Sequence, residues 1–234
     1  MEIILAENHG FCYGVKRAVE MANEAADGKG KSYTLGPIIH NPQVVGRLES
    51  KGVSPIQEVA DIDEGTMIIR SHGVGPAIYA EAEEKGLHIL DATCPHVKKA
   101  QQDAKSVIED GMTLVILGEK NHPEVKSINL WANNKGIIIE DEESAQKLQI
   151  VEKMGVVVQT TFSQFKFNSI IEILEKKSKN LKVFKTICNA TQERQNSAVD
   201  LARNVDLMIV IGGKNSGNTN SCLLYTSPSP RDCS

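Results

Sequence analysis

The sequence predicts an α/β fold in which three pseudo-repeated α/β units with parallel sheets surround a common centre, the third unit being incomplete. Two regularities support this prediction. A short apolar run ends, a cysteine follows and a helical pattern begins at three places: Cys12, Cys94 and Cys188. The residue 28 positions after each cysteine is polar and follows another apolar run: His40, His122 and Ser216. Strands that alternate with helices favour parallel sheets with right-handed crossovers.

Composition and charge are those of an ordinary globular protein. The 234 residues are 41% hydrophobic and 24% charged, with a net charge of −4, which argues against nucleic acid as the main partner. No signal peptide follows Met1, and no apolar run approaches the ~20 residues that a membrane span needs. We therefore expect a cytoplasmic protein with no membrane partner. In that reducing setting, separated cysteines bind metal or act in catalysis more often than they form disulfides.

The first unit is predicted at residues 1–93. Its apolar runs predict strands at 3–6, 32–35 and 66–69. The loops after the last two strands contain His40 and His72, each close to glycine or proline. Because ligands bind at the carboxyl ends of parallel strands, both histidines are candidate binding residues.

The second unit is predicted at residues 94–187. Its apolar runs predict strands at 113–117, 136–139, 156–158 and 183–187. The loop after the first of these strands holds His122-Pro123-Glu124, and the loop after the third holds Gln159-Thr160-Thr161. Both loops fall at strand ends, where the polar residues of the first unit also lie.

The third unit is predicted at residues 188–221, with a strand at 207–211 followed by a glycine-rich loop. The repeat spacing places its next polar strand end near position 250, beyond Ser234, so we expect an incomplete unit. Residues 222–234 contain two Ser-Pro steps and no helical or strand period, and are expected to be a non-native tail. Cys222 and Cys233 lie in that tail and are not expected to be ligands.

Three cysteines at equivalent corners predict a shared metal site. A thiolate near a helix N-terminus is favoured by the helix dipole. Three thiolates without a fourth suit an iron–sulfur cluster with one open iron, which could act as a Lewis acid. Zinc with three cysteine ligands is the alternative.

The polar loops predict a site for an anion, most plausibly phosphate or diphosphate. Together they offer many hydrogen-bond donors and almost no carboxylates: His40, His72, His122, Thr160, Thr161, Ser216 and Asn218. The glycines of residues 212–217 would let backbone N–H groups approach the anion. His9, His88 and His96 show no such pattern and are expected to be structural.

Glu124 is the one carboxylate inside a polar corner. It could be an acid in the first turn of a helix, where negative charge is favourable. It could also donate a proton to the ligand, because partial burial beside an anion would raise its pKa.

Taken together, these corners resemble the LytB family of 4-hydroxy-3-methylbut-2-enyl diphosphate reductases, which catalyse the last step of the methylerythritol phosphate route to isoprenoids. The matching pieces span residues 1 to about 221 in order: Gly10-Phe11-Cys12-Tyr13-Gly14-Val15, Gly36-Pro37 with His40-Asn41, Ser71-His72-Gly73-Val74, Asp91-Ala92-Thr93-Cys94-Pro95, His122-Pro123-Glu124-Val125, Gln159-Thr160-Thr161 and Gly212-Gly213-Lys214-Asn215-Ser216. Each piece alone is weak, but the joint match is specific.

The resemblance implies a three-lobed α/β protein with a central [4Fe–4S] cluster held by Cys12, Cys94 and Cys188. It implies that the substrate diphosphate binds to His40, His72, His122, Ser216 and Asn218. Glu124 would then pass protons to the leaving hydroxyl, with Thr160 or Thr161 in the same network. The allylic alcohol would bind the open iron, and two electrons and two protons would remove it as water. The electrons would come from a ferredoxin or a flavodoxin.

The chain departs from the family pattern in two ways. Gly217 stands where the family usually has a second serine, and the family continues for some tens of residues that supply a further serine. Two rival functions therefore remain open. One is a zinc-dependent phosphate-ester hydrolase, and the other is a non-catalytic diphosphate-binding module or inactive fragment.

Overall fold

The computed structural model describes residues 2–28, 30–213 and 216–226. The nine helices of these residues are α1 Tyr13–Asp27, α2 Pro42–Ser50, α3 Pro76–Glu84, α4 Pro95–Glu109, α5 Pro123–Trp131, α6 Glu142–Lys147, α7 Gln164–Glu175, α8 Asn189–Ala202 and α9 Gly217–Thr226. Their eight strands are β1 Ser32–Leu35, β2 Val53–Ile56, β3 Thr66–Ile69, β4 His88–Asp91, β5 Thr113–Leu117, β6 Ile137–Ile139, β7 Val151–Val158 and β8 Ser178–Phe184. No helix among them is long and apolar enough to cross a membrane.

The strands form two four-stranded parallel sheets, as the sequence predicts for the first two units. The first sheet has the order β2-β1-β3-β4 and the second has the order β6-β5-β7-β8. The two orders are equivalent: in each sheet the second strand in sequence lies at one edge, followed by the first, the third and the fourth. This equivalence supports the predicted repeat, and the division of the chain at residues 93 and 187 remains our proposal.

Both sheets are covered by helices on their two faces, which explains their nearly continuous apolar strands. In β3, Ile68 packs with α1 and α2, whereas Met67 and Ile69 pack on the opposite face. In β7, Val157 packs with α4 and α5, whereas Val156 and Val158 face α6 and α7. The rigid sheets hold the loops at their carboxyl ends, where the polar residues lie.

The edge strand β2 was missed by the sequence analysis. It contains Pro55, which cannot donate a backbone hydrogen bond and so argues against a central strand. At a sheet edge this residue is tolerated, because its nitrogen does not face a neighbouring strand.

The predicted strands at 3–6 and 207–211 are wrong for this structure, since neither segment lies in a strand. Their apolar residues are exposed instead, with Leu5 at 71%, Leu207 at 76% and Ile211 at 92%. The apolar pattern of a buried strand is present, but no strand of the described residues pairs with either segment. Part of the third unit is therefore present as α8 and α9, which pack against each other without a sheet.

The prediction that residues from Cys222 onward lack helical structure is also wrong in part, because α9 continues to Thr226. Residues 227–234, which include Cys233, lie outside the described residues, as do Lys214 and Asn215.

Candidate functional site

The three predicted cysteine corners have the same local structure. Cys12, Cys94 and Cys188 are the N-cap residues of α1, α4 and α8, and none of them caps its helix through the side chain. Pro95 occupies the first turn of α4, where the missing N–H costs little. All three thiols are only partly buried.

The Cys94 thiol interacts electrostatically with both of the other cysteine thiols. Burial raises the pKa of the Cys94 thiol, and the charges of Cys12 and Cys188 raise it further, against hydrogen bonds from two backbone N–H groups of α4. The helix N-terminus acts in the expected direction, because both hydrogen bonds lower the pKa of the Cys94 thiol, but desolvation is the larger effect and the net shift is upward. Gly14 at the start of α1 allows Cys94 to lie close to that helix, since a Cβ on Gly14 would lie 2.6 Å from the Cys94 sulfur.

The spacing of the three sulfurs bears on which metal group they could hold. Among the described residues, the only trio of His, Cys, Asp or Glu ligand atoms that lie within 4.8 Å of one another is formed by histidines. A single zinc ion bound at about 2.3 Å would bring three sulfurs within about 4.6 Å of one another. The cysteines do not form such a trio, and as a donor set three thiols without a fourth suit an iron–sulfur cluster with one open iron.

A cavity of about 380 Å³ lies beside the cysteines at the carboxyl ends of the two sheets. Ten of the eleven predicted site residues line this cavity, and they come from all three units: Cys12, Cys94, His40, His72, His122, Glu124, Thr160, Thr161, Ser216 and Asn218. Cys188 is not among the lining residues. Its backbone N–H donates a hydrogen bond to the carbonyl of Thr160, and Thr160 does line the cavity.

The three predicted histidines form a compact cluster in this cavity. The ring centroid of His40 lies 4.3 Å from that of His72 and 5.7 Å from that of His122, and His72 and His122 are 5.6 Å apart. Burial lowers the pKa of all three imidazoles, to about 4 for His122, and the positive charge of Arg70 lowers each further. At neutral pH the rings are therefore uncharged, and each carries one N–H donor.

The hydrogen bonding of His122 decides between a metal and an anion. Its Nδ1 accepts a hydrogen bond of 3.2 Å from the backbone N–H of Glu124, so the ring proton lies on Nε2. A metal-binding histidine shows the opposite arrangement, because its second nitrogen donates a hydrogen bond. His122 is thus fixed as a donor, which suits an anion.

Three polar atoms of the lining residues have no hydrogen-bond partner among the described residues. They are buried, and they belong to three predicted binding residues: His40 Nε2, His72 Nδ1 and Asn218 Oδ1. Buried polar atoms are rarely left unpaired in proteins. Their convergence in one cavity favours a polar ligand.

The glycine-rich loop of the third unit closes the cavity against both other units. A Cβ on Gly213 would lie 2.8 Å from the carbonyl oxygen of His40, and one on Gly217 would lie 2.7 Å from Thr161 Oγ1. Ser216 Oγ accepts a hydrogen bond of 3.4 Å from the N–H of Thr219 in the first turn of α9. The N-terminus of α9 therefore lies in the cavity, where its N–H groups favour an anion.

Glu124 is buried, with 2% of its surface exposed, and both of its carboxylate oxygens are bound by one residue. The N–H of Thr160 donates to Oε1 at 2.6 Å, and the Thr160 hydroxyl donates to Oε2 at 2.9 Å. Burial raises the pKa of Glu124 to about 7, although both hydrogen bonds oppose the shift. A carboxyl with that pKa holds a proton that it can release near neutral pH.

Thr160 also connects Glu124 to the third cysteine corner. Its carbonyl accepts hydrogen bonds from the N–H of Cys188 at 2.9 Å and from the hydroxyl of Thr191 at 3.2 Å. Thr161 is held separately, because its hydroxyl oxygen accepts from Gln159 Nε2 at 2.9 Å. Of the two predicted threonines, only Thr160 contacts the carboxyl.

The raised pKa of Glu124 predicts a pH-dependent stability. Its folded-state pKa of about 7 lies above its ordinary value of 4.5, so folding takes up a proton between these values. The free energy of unfolding should therefore fall as pH rises through 7, by about 3 kcal/mol in total relative to Glu124→Gln. Urea unfolding of both proteins between pH 4.5 and 8 measures this difference. A constant difference across that range would contradict the assignment.

Two arginines near the cavity were given no role by the sequence analysis. Arg194 in α8 donates from Nε and Nη2 to the carbonyl of Gly10 at 3.3 and 3.2 Å, which ties the loop before Cys12 to the helix after Cys188. Arg70 follows β3 and lies within electrostatic range of the three histidines. Neither arginine lies 28 residues after one of the three cysteines, the spacing that identified His40, His122 and Ser216.

Comparison with known proteins gives one consistent result. The family model described as "LytB protein" matches residues 3–228. Curated proteins named 4-hydroxy-3-methylbut-2-enyl diphosphate reductase from Geotalea uraniireducens (strain Rf4) and Geobacter metallireducens (strain ATCC 53774 / DSM 7210 / GS-15) are each 49% identical over 219 residues. The matched part covers 94% of this chain and 78% of each relative.

Two solved structures have a similar fold. One is described as (E)-4-hydroxy-3-methyl-but-2-enyl diphosphate reductase, the terminal enzyme of the non-mevalonate pathway, with 45% identity and a TM-score of 0.77 over 96% of this chain and 81% of the other. The other is E-1-hydroxy-2-methyl-but-2-enyl-4-diphosphate reductase from Plasmodium falciparum, with 30% identity and a TM-score of 0.89 over 94% and 71%.

Proposed function

This chain belongs to the LytB family, and from that premise we propose that it is an iron–sulfur reductase of isoprenoid biosynthesis. Its substrate would be 4-hydroxy-3-methylbut-2-enyl diphosphate, whose hydroxyl is removed to give isopentenyl and dimethylallyl diphosphates. The observation that carries the proposal is one cavity that joins thiols, an anion-binding set of donors and a buried proton donor. Relatives with the same reductase name support the assignment.

We assign Cys12, Cys94 and Cys188 as the residues that would hold a [4Fe–4S] cluster. The fit rests on the donor set, because three cysteine thiols at helix N-termini suit a cluster that leaves one iron open. When bound, the cluster would supply electrons and one Lewis-acidic iron, and a ferredoxin or flavodoxin would replenish the electrons.

The histidine cluster and the start of α9 would bind the diphosphate. Uncharged imidazoles donate N–H groups, and His122 is fixed as a donor by its hydrogen bond to Glu124 N–H. Ser216 and Asn218 add polar groups from the other side of the cavity, next to the helix N-terminus. Held at its diphosphate end, the substrate would direct its hydroxyl toward the cysteine side of the cavity.

Glu124 would deliver a proton to the departing hydroxyl. Burial raises the pKa of Glu124 to about 7, so the carboxyl can hold a proton and release it near neutral pH. The Thr160 hydroxyl contacts that carboxyl and also lines the cavity, so it can pass the proton or orient the acid. Two electrons and two protons together convert the hydroxyl into water and leave the allylic group reduced.

The rival functions account for less of the site. A zinc hydrolase that used the histidine cluster would need His122 as a metal ligand, and the hydrogen bond from the Glu124 N–H to its Nδ1 disfavours that role. A non-catalytic diphosphate-binding module would have no use for a buried acid with a raised pKa beside three thiols.

Anaerobic purification followed by metal analysis tests the proposal. We expect a brown protein with about four iron atoms and about four sulfides per chain. With a chemical reductant, it should convert the hydroxylated diphosphate into the two isoprenoid diphosphates. Stoichiometric zinc with no sulfide would support the hydrolase, and a metal-free protein that binds pyrophosphate would support the binding module.

The exposed segments at 3–6 and 207–211 lead to a prediction about stability. Replacing residues 222–234 with the C-terminal segment of a relative should raise the thermal unfolding midpoint and the affinity for pyrophosphate together. The added segment would cover apolar residues such as Leu5 and Ile209 that are now exposed and favour aggregation. Calorimetry and light scattering on both proteins provide the measurement. If the 234-residue chain is already monomeric, cooperative in unfolding and fully active, the prediction is wrong.

A further inference from the structure

The inference concerns Arg70, which follows β3 directly and approaches the end of the neighbouring strand β1. Its Nη1 lies 2.8 Å from where a Cβ on Gly36 would stand, and Gly36 has a φ of 71°. A side chain at that position would be strained and would push the guanidinium away. The turn after β1 therefore leaves the space that Arg70 occupies.

Arg70 has no counter-ion among the described residues. No carboxylate oxygen of these residues lies within 4.0 Å of a guanidinium nitrogen of Arg70, and the buried Arg70 Nε has no hydrogen-bond partner among them. Arg17 shows the ordinary alternative, since its guanidinium donates to the carbonyls of Asp91 and Thr93. A partly buried cation that lacks such partners is costly unless an anion is near.

The groups around Arg70 are the histidines of the proposed diphosphate site. The charge of Arg70 acts on His40, His72 and His122, and apart from the histidines themselves it is the one charged group among the causes that lower the pKa of these rings. Because the histidines are uncharged at neutral pH, Arg70 supplies the permanent positive charge on this side of the cavity. Arg70 does not line the cavity, whereas the three histidines do, so its charge would act on a bound anion at long range rather than by direct contact.

We propose that Arg70 is a positioning residue that provides the counter-charge for the diphosphate from behind the histidine cluster. The inference rests on the proposed function, because it takes the anion of that site to be a diphosphate.

The test compares Arg70→Met with Arg70→Lys and with Arg47→Met, using inorganic pyrophosphate as the probe. Arg47 is exposed on α2 in the same part of the chain, so its loss changes the net charge equally. Calorimetric titration of the full chain at 0.15 M salt should show about 10- to 100-fold weaker binding for Arg70→Met. Arg70→Lys should lose less, and Arg47→Met should stay within about twofold of the parent.

A second measurement separates electrostatic support from a structural role. Without pyrophosphate, Arg70→Met should unfold at the same temperature as the parent or at a higher one, because an unpaired buried charge has been removed. The stabilisation that pyrophosphate adds should shrink in the same variant.

Two results would overturn the inference: pyrophosphate affinity of Arg70→Met within twofold of the parent, or a clear drop in its unfolding temperature without ligand. Failure of the parent chain to bind pyrophosphate would also overturn it, together with the diphosphate site. A parent chain that binds pyrophosphate but holds no iron or sulfide would remove the reductase proposal alone and leave the inference about Arg70 standing.

Discussion

Glu124→Gln should slow turnover by about 10²–10⁴-fold while the bound iron and the pyrophosphate affinity stay close to those of the parent. Glutamine has nearly the same shape and can still accept a hydrogen bond from the Thr160 N–H, which lies 2.6 Å from Oε1. It cannot release a proton. The reaction requires two protons, and Glu124 is the buried acid that lines the cavity with a pKa of about 7. Single-turnover kinetics with a reduced enzyme would measure the change.

Glu143→Gln is the matched control for this experiment. Glu143 lies on α6 in the second unit, is exposed, and pairs only with Lys147 on the surface. Its substitution makes the same chemical change without touching the cavity, so turnover should stay within about twofold of the parent. If Glu124→Gln retains near-parental turnover, Glu124 does not deliver the proton.

The cysteine corners could be predicted because their signal is local. An apolar run, a cysteine and a helical pattern stand next to each other in sequence, and the structure places each of the three cysteines at an N-cap. The histidines were predicted by the same means, since His40 and His122 follow their cysteines at equal spacing. Such repeats fix where a residue lies in its own unit.

The strands at 3–6 and 207–211 were wrong because a strand depends on a partner that the segment itself does not encode. Both segments have the apolar composition of a buried parallel strand. The first sheet begins at Ser32, so residues 3–6 do not belong to it, and the strand before each later cysteine is the last strand of its own sheet. Apolar pattern alone could not show that no described strand pairs with these two segments.

Contacts between loops that lie far apart in the chain were also beyond the sequence. Thr160 and Glu124 stand 36 positions apart, yet the threonine binds both carboxylate oxygens. The direction of the Cys94 pKa shift is a similar case, because it depends on how deeply the thiol is buried. Arg70 immediately precedes the Ser71-His72-Gly73-Val74 segment, but its lack of a counter-ion among the described residues is visible only once its neighbours are placed.

Cys94→Ser should abolish iron and sulfide binding, and with it reductase activity, without unfolding the chain. Cys94 is the N-cap residue of α4, and serine is among the preferred residues at an N-cap, so the helix should form as well as before. The serine hydroxyl is a poor ligand for iron at neutral pH in comparison with a thiolate. Circular dichroism should therefore be unchanged while the metal content falls to background.

Cys222→Ser is the control that distinguishes a ligand from any cysteine near the cavity. Cys222 lines the same cavity, is half-buried like Cys94, and burial likewise raises the pKa of its thiol. It lies within α9 rather than at the N-terminus of a helix, and it does not belong to the three repeated corners. Iron and sulfide per chain should therefore stay at the parental value in Cys222→Ser. Equal loss of iron in both variants would show that proximity to the cavity, rather than the repeated corner, determines which thiols hold the cluster.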